Sequence, residues 1–275
     1  MSLTSVLAAA ASSLRLNAGK VAASADNVVN VDTAGYKAAT VEGVPVATGG
    51  RQDAVGGVTG VLRPAVSVQG LLAASGSLTD LVISGDGFVP VETPTGARGF
   101  ARGGLFQSDS EGFLADPAGN RLLAHALDTA GQPRTGELEP VNITAANNVA
   151  LQEDGTPGEV TGTNIANDGT VEALLANGDR RAVYRIPVAL FANPNGLHLE
   201  QGNVYMPTHN SGNATLRTAG RGRAGHIQSG AREVSTVDLA SEYVRQTLAQ
   251  TAYNAGIETL RTGEEMLREL VDVKR

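Results

Sequence analysis

The chain has 275 residues and carries 21 basic against 28 acidic side chains, a net charge of −7 that argues against nucleic acid as a main partner. It contains no cysteine, so disulfides, thiol nucleophiles and cysteine metal sites are excluded, and it contains no tryptophan. With 41% apolar residues it is long enough to bury a sizeable core arranged in one to three domains, and it is not a disordered protein.

The first stretch steps by four and three through Leu3, Leu7, Ala10, Leu14, Asn17, Val21, Ser24 and Val28, with no proline and only Gly19 before Gly35. That spacing is the seam of a coiled-coil helix. The opening MSLTSVLAAAASSLRLNAGK has no basic region ahead of its apolar run, and the run is too short and interrupted to span a bilayer; neither a Sec signal nor membrane insertion is expected. The helix should end in DNVVNVDTAGYKAAT, where Asn27, Asn30 and Asp32 favour caps and turns and Gly35 tolerates a left-handed backbone. An extended, poorly ordered connector is expected over 41–64, with glycine pairs at 49–50 and 56–57.

From 66 to 143 short apolar runs alternate with glycine-rich turns, the pattern of β-hairpins. One hairpin is expected from a strand at 81–83, a turn at 84–87 and a strand at 88–92; the next has turns at 108–112 and 116–119. Asp86, Asp109, Glu111 and Asp116 lie near glycines, but their spacing fits no EF-hand and turn chemistry accounts for each. Further strands are expected at 169–175, 181–191 and 202–206, followed by a polar, exposed and mobile loop over 209–225. Within it GRGRAG, at 220–225, matches a dinucleotide-binding fingerprint without the strand, helix and βαβ unit that give the motif meaning. His125, His198, His209 and His226 suit no zinc spacing, and there is no Walker A motif or nucleophile elbow, so no catalytic, cofactor or metal site is assigned.

The last forty residues, 235–275, read as a second long helix. Leu239, Tyr243, Gln246, Gln250, Tyr253, Ile257, Leu260, Glu264, Leu267 and Val271 again alternate steps of four and three, giving a seam with polar positions at Gln246, Gln250 and Glu264. Ser235 or Thr236 is expected to cap it, with Asp238 at the positive end of the dipole and Lys274 and Arg275 at the other. Gly256 and Gly263 interrupt it at about 1 kcal/mol each relative to alanine. The two helices bracket the chain and are expected to pair. One pair cannot fully bury both apolar seams, so both termini are expected to be largely disordered before assembly and to fold on neighbouring copies. The fold class is thus α+β: terminal N- and C-helices forming a coiled coil plus a β-rich central domain of hairpins. The domains are 1–32 with 235–275, a connector at 33–65 and a β-rich domain at 66–234.

Several segments resemble the bacterial flagellar hook and basal-body rod proteins. DNVVNVDTAGYK carries Asn27, Asn30, Thr33, Gly35, Tyr36 and Lys37, and is similar to that family's N-terminal signature. DLVISGDGFVPV, with Gly85, Asp86, Gly87 and Phe88, resembles its central hairpin. GFARGGLFQSDSEGFLADPAGNRLL, VALFANPNGLHLEQGNVYMPTHNSG and the stretch from GHIQSGAREVSTVDL to the end match further family segments in the same order. There are departures: Arg232 stands where an apolar residue is expected, Thr251 to Tyr253 replaces a more usual Arg-Ala-Tyr, and 140–181 leaves no room for the large outer insertion of hook subunits.

The resemblance implies a structural axial subunit of hook or distal rod that polymerises with itself into a helical tube, transmits motor torque and encloses the export channel. Its other implied partners are the neighbouring axial proteins and the flagellar type III export apparatus. The implied subunit-packing residues of the terminal helices are Leu3, Leu7, Leu14, Val21, Val28, Leu239, Tyr243, Tyr253, Ile257, Leu260, Leu267 and Val271. The alternative from another class is a secreted β-rich binding or adhesion protein with a coiled-coil stalk, which would close into a small oligomer of fixed number.

Overall fold

The computed structural model describes residues 3–46, 56–128, 131–134, 136–143 and 160–273. They fall into two compact units. One gathers Met1–Asp32, Lys37–Ala65 and Thr236–Arg275; the other is Thr33–Tyr36 with Val66–Ser235. Among the described residues no helix is long and apolar enough to cross a membrane.

The helical unit contains α1 (Leu3–Val29), a hairpin of β1 (Ala39–Pro45) and β2 (Val58–Pro64), and α2 (Leu239–Val273). The alanine-rich first half of α1 has little side-chain entropy to lose, which favours helix. Its C-terminal end is tied to β1 by Asn27, whose amide donates to the Ala39 carbonyl at 2.8 Å and accepts from the Ala39 N–H at 2.9 Å. The hairpin lies on α1 because two glycines face each other in its register, Gly43 opposite Gly60. A side chain at either position would collide with Leu16, at 2.9 Å for Gly43 and 3.3 Å for Gly60, so the bare backbone makes the socket into which Leu16 fits. Ser12 adds a polar tie: its hydroxyl donates to the Ala9 carbonyl and accepts from the Val58 N–H at 3.0 Å.

The two helices pack antiparallel, as their partners show. The Ser24 hydroxyl donates to the Glu242 carbonyl at 3.1 Å, Leu14 lies over Gly256, and Leu7 lies over Gly263. Gly256 and Gly263, read from sequence as interruptions, lie inside one unbroken helix and are its buried contact positions, because only a residue without Cβ admits the leucine. The contact face runs through Glu242, Gln246, Ala249, Gly256, Leu260, Gly263 and Leu267. It shares Gln246, Leu260 and Leu267 with the expected seam, whereas Tyr243, Gln250, Ile257 and Glu264 each lie one residue off it and are exposed.

The cap of α2 also differs from the expectation. Asp238 is the N-cap, its carboxylate accepting the Ser241 N–H at 2.7 Å while its carbonyl accepts the Glu242 N–H at 3.0 Å. Thr236 instead accepts the Ala38 N–H at 2.9 Å, and the helix begins four residues after Ser235. Leu3 opens α1, but its side chain lies outside the described residues, as do Lys274 and Arg275.

The β unit runs β3 (Leu72–Ala74), β4 (Asp80–Ser84), β5 (Val89–Glu92), β6 (Arg98–Ala101), β7 (Gly103–Leu105), β8 (Gln107–Ser108), β9 (Leu114–Ala115), β10 (Arg121–Ala126) and β11 (Glu139–Pro140). It continues with β12 (Val160–Ile165), β13 (Thr170–Leu175), β14 (Arg180–Arg185), β15 (Pro187–Leu190), β16 (His198–Glu200), β17 (Val204–Met206), β18 (Thr215–Thr218), β19 (His226–Ser229) and β20 (Ala231–Glu233). The main sheet has the order β12-β13-β14-β10-β5-β6-β17-β16, with β9 and β11 also on β10 and β8 on β9. Smaller antiparallel sheets are β19-β4-β7, β15-β18 and β20-β3. Leu81, Ile83, Val89, Val91, Phe106 and Leu122 are among the side chains of one buried core. Phe88, Phe100, Phe191 and Tyr205 form a second, with edge-on ring contacts of 5.0 to 5.7 Å.

The tight turns share one bonding pattern. At 93–96, 109–112, 116–119, 166–169 and 175–178 the first residue donates its N–H to the carbonyl four residues on, and the fourth, a glycine with positive φ, donates back to the first. This is a type I turn closed by a left-handed residue, the reason glycine recurs there. The turn carboxylates serve the backbone: Asp109 accepts from Glu111 and Phe113, and Asp116 from Ala118 and Asn120.

Three β-region expectations need correction. The connector is a seven-pair hairpin over 39–45 and 58–64, ordered by its glycine socket, although 47–55 lies outside the described residues. The 84–87 turn does not close a hairpin: β4 pairs with β19 and β7, while β5 pairs with β6 and β10. The 209–225 stretch contains β18, paired with β15, and a buried Ser211.

Candidate assembly interface

The helical unit leaves one side of α2 uncovered. Tyr243 is 58% exposed, Leu248 65% and Val271 62%, and Leu239, Val244, Ile257 and Met266 are also exposed. Val244 and Leu248, four residues apart, are neighbours on the exposed side of the helix, and Tyr243 projects about 100° further round it. Apolar side chains scattered singly on a surface need no explanation, and the gathering of these large ones on one helix makes this side of α2 the candidate contact surface.

Two grooves open along the join between α1 and α2. One groove of about 430 Å³ is lined by Ala9, Ala10, Ser13, Ala252, Ala255 and Gly256 among others. A second, about 390 Å³, is lined by Asn17, Lys20, Ser24, Val41, Glu242 and Ala249 among others. At the second groove Glu242 is 2% exposed, and its carboxylate is met at 2.6 Å by Arg245 one turn on. Of the expected packing residues, Leu7 and Leu14 press on α2, and Val21, Val28, Leu260 and Leu267 are half-buried. Leu239, Tyr243, Tyr253, Ile257 and Val271 remain exposed.

Signature residues 27–37 organise a turn. Asn30 donates to the Asp26 carbonyl at 2.8 Å, the Thr33 carbonyl accepts the Tyr36 N–H at 3.2 Å, and Tyr36 and Lys37 are buried. Gly35, at φ +69°, donates to the Glu233 carbonyl at 2.8 Å. In the β unit Gly87, at φ +129°, lies so close to Val188 that any Cβ there would overlap it, and Phe88 beside it enters the aromatic core. Gly85 packs against Gly225, and Asp86 bridges to Ala224.

Sequence reasoning missed the group that fixes this turn. Arg102, 3% exposed, donates to the Gly87 carbonyl at 2.8 Å and the Gly85 carbonyl at 3.1 Å. Its Nε lies 3.6 Å from the Glu233 carboxylate, and the same carboxylate accepts the Gly70 N–H. One buried ion pair therefore ties the 85–87 turn, the 70 loop and β20 together. Burial pushes the Tyr205 phenol well above its ordinary range, outweighing the opposing pull of nearby Arg102. For Asp109 burial acts upward, but the Phe113 and Glu111 N–H groups and Arg121 hold it below the ordinary carboxylate value. Asp238 is lowered mainly by the Ser241 N–H it caps. No cluster of metal-ligating side chains occurs among the described residues.

Comparison with known proteins gives matches in the central β region and at the C-terminal helix. Residues 82–173 match the family described as flagellar hook protein FlgE/F/G D1 domain, and 228–273 match the flagellar basal body rod FlgEFG protein C-terminal family. The Flagellar hook protein FlgE of Brucella suis is 24% identical, with all of both chains covered. That of Escherichia coli is 36% identical over 60% of this chain and 43% of its own. The Flagellar basal-body rod protein FlgG of Bacillus subtilis is 28% identical over 91% of each chain. A crystal structure of Helicobacter pylori flagellar hook protein FlgE2 aligns at TM-score 0.24 and 15% identity, covering 70% of this chain and 38% of that one, and carries no inference.

Proposed function

The chain belongs to the flagellar hook and rod protein family and is a structural axial subunit of the flagellum, and from that premise we propose that it polymerises into a tube whose inner layer is the helical unit. The observation that carries this reading is the set of exposed large apolar side chains on α2 beside two grooves, one lined mainly by alanine, serine and Gly256 and the other by Ser24, Val41, Ala249 and the Glu242–Arg245 pair. A lone chain leaves both the knobs and the holes unfilled, and neighbouring copies can supply each to the other by coiled-coil packing. In this reading α1 and α2 form the coiled-coil domain around the central channel, the β1–β2 hairpin is the connector and the β unit faces outward. Export through the flagellar type III apparatus and contacts with adjacent axial proteins belong to the same proposal.

Two members of the family fit, each on its own observation. Local identity favours hook, at 36% over the 60% of this chain that the Escherichia coli match covers. Length favours rod, since the Bacillus subtilis rod protein matches 91% of both chains over 267 positions, whereas the end-to-end match to the Brucella suis hook protein runs over 397, well beyond the 275 of this chain. Electron microscopy of basal bodies from cells lacking this gene separates them. Loss of the curved segment outside the outer rings assigns hook, loss of the straight shaft beneath assigns distal rod, and an unchanged organelle refutes both.

A further inference from the structure

The glycine-rich GRGRAG segment, which lacks the setting of a nucleotide site, has a definite conformation. Gly220 and Gly222 take φ of +72° and +67°, and the Gly220 N–H donates to the Gly225 carbonyl at 2.9 Å. The Arg221 N–H donates to Thr218, the Ala224 N–H to Arg221 and the Gly225 N–H to Asp86, so every turn of the loop is bonded. The loop opens β19, not a helix, and so lacks the positive end that a phosphate site needs. What it does is hold Arg221 and Arg223 in solvent, with Arg217 on β18 beside it. The Arg223 side chain is 85% exposed even though Asp86 lies 3.5 Å away.

Charge singles this surface out. The β unit has 11 arginines and 17 carboxylates, a net of −6. Four of those arginines fall in 209–232, which has no carboxylate at all, leaving the rest of the unit with seven against 17, a net of −10. Among the described residues the largest acidic excess lies in 109–139, where Asp109, Glu111, Asp116, Asp128, Glu137 and Glu139 outnumber Arg121, which pairs with Asp109 and Glu111, and Arg134. Glu111, Glu137 and Glu139 are exposed there.

We propose that the arginine surface of Arg217, Arg221 and Arg223 docks on the acidic 109–139 surface of a second copy of this chain. This rests on the polymer reading above and names a contact between β units within it. The two surfaces are different, so the contact is heterologous: each copy offers one surface forward and the other back. Such a contact propagates into an open helix unless the rotation closes. Because the arginine loop is already ordered by its backbone bonds, little is lost in fixing it on contact. Exposed pairs of this kind act mainly on partner choice and encounter, and they weaken as salt rises.

The test is polymerisation of the full chain, measured as the critical concentration for pelleting in about 50 mM and about 500 mM salt. Arg217→Glu with Arg221→Glu and Arg223→Glu should raise it about tenfold at low salt and leave it near wild type at high salt. A second chain carrying Glu111→Lys, Glu137→Lys and Glu139→Lys, mixed with the first, should restore assembly at low salt. Circular dichroism checks that each chain is folded, and the milder Arg→Gln triple replaces any reversed chain that is not. Reversed chains that assemble at the wild-type concentration in low salt overturn the docking proposal while leaving the polymer reading intact. A wild-type chain that forms no polymer at either salt overturns both.

Discussion

Breaking the buried Arg102–Glu233 pair from one side should destabilise the β unit more than any surface change. The two side chains are 4% and 1% exposed and 3.6 Å apart. At an effective dielectric constant of about 20, that separation gives an attraction of about 4 to 5 kcal/mol. Glu233→Gln keeps an acceptor for the Gly70 N–H but leaves the guanidinium buried without its counter-charge, with an expected cost of about 3 to 5 kcal/mol. Arg102→Met removes the charge and also the donors to Gly85 and Gly87, so its cost has a second, hydrogen-bond part of about 1 kcal/mol per bond. The double variant should cost less than the two single costs together, by about 3 kcal/mol of coupling. Urea unfolding of the full chain, followed by the near-ultraviolet signal of the buried tyrosines Tyr184 and Tyr205, measures all three. Single costs that simply add, with coupling under about 0.5 kcal/mol, would refute the ion pair as the tie between the 85–87 turn and β20.

Three further outcomes follow from the geometry. Gly178→Ala meets no atom within 4 Å and should cost only the left-handed strain, about 1 to 2 kcal/mol; Gly169→Ala also places a Cβ 2.4 Å from the Ile186 carbonyl and should cost clearly more in the same unfolding assay. Asp238→Ala should weaken the protection of the first turn of α2 against amide exchange. Because the Asp238 pKa is lowered on folding, its contribution is present above the ordinary value of 3.8 and lost as pH falls below it; far-ultraviolet helicity that is flat through that range would contradict the cap. Leu248→Lys with Val244→Lys should leave the monomer's melting temperature within a degree or so, since both side chains are exposed, yet abolish pelleting of polymer.

Much of the architecture was legible because it rests on period and turn chemistry. The four-three stepping located both helices, and the glycine-rich breaks between apolar runs located the turns at 108–112 and 116–119. The seam register was not legible, for a physical reason. Counting apolar residues puts Tyr243 and Ile257 at the join, whereas the close approach of α1 selects residues without bulk, Ala249, Gly256 and Gly263, and turns the large side chains outward. The same substitution of space for hydrophobicity hid the hairpin at 39–64, where Gly43 and Gly60 look like linker residues until Leu16 is placed between them. At 84–87 the residues are those of a hairpin turn, but the approach of Gly87 to Val188 and the hold of Arg102 send β5 into another sheet. Arg102 and Glu233 gave no sequence signal, since nothing local tells an isolated charge that its partner lies in a distant strand.

Neighbouring copies are expected to cover the exposed apolar side of α2 in the assembled organelle. The chain has no cysteine, so Leu248→Cys supplies a single reporter thiol. Maleimide labelling of that thiol, compared between the purified monomer and intact hook–basal bodies, is the direct measurement. Labelling should be fast in the monomer, where Leu248 is 65% exposed, and suppressed by at least about tenfold in the assembly. Equal labelling in both would mean that this side of α2 is not an assembly surface.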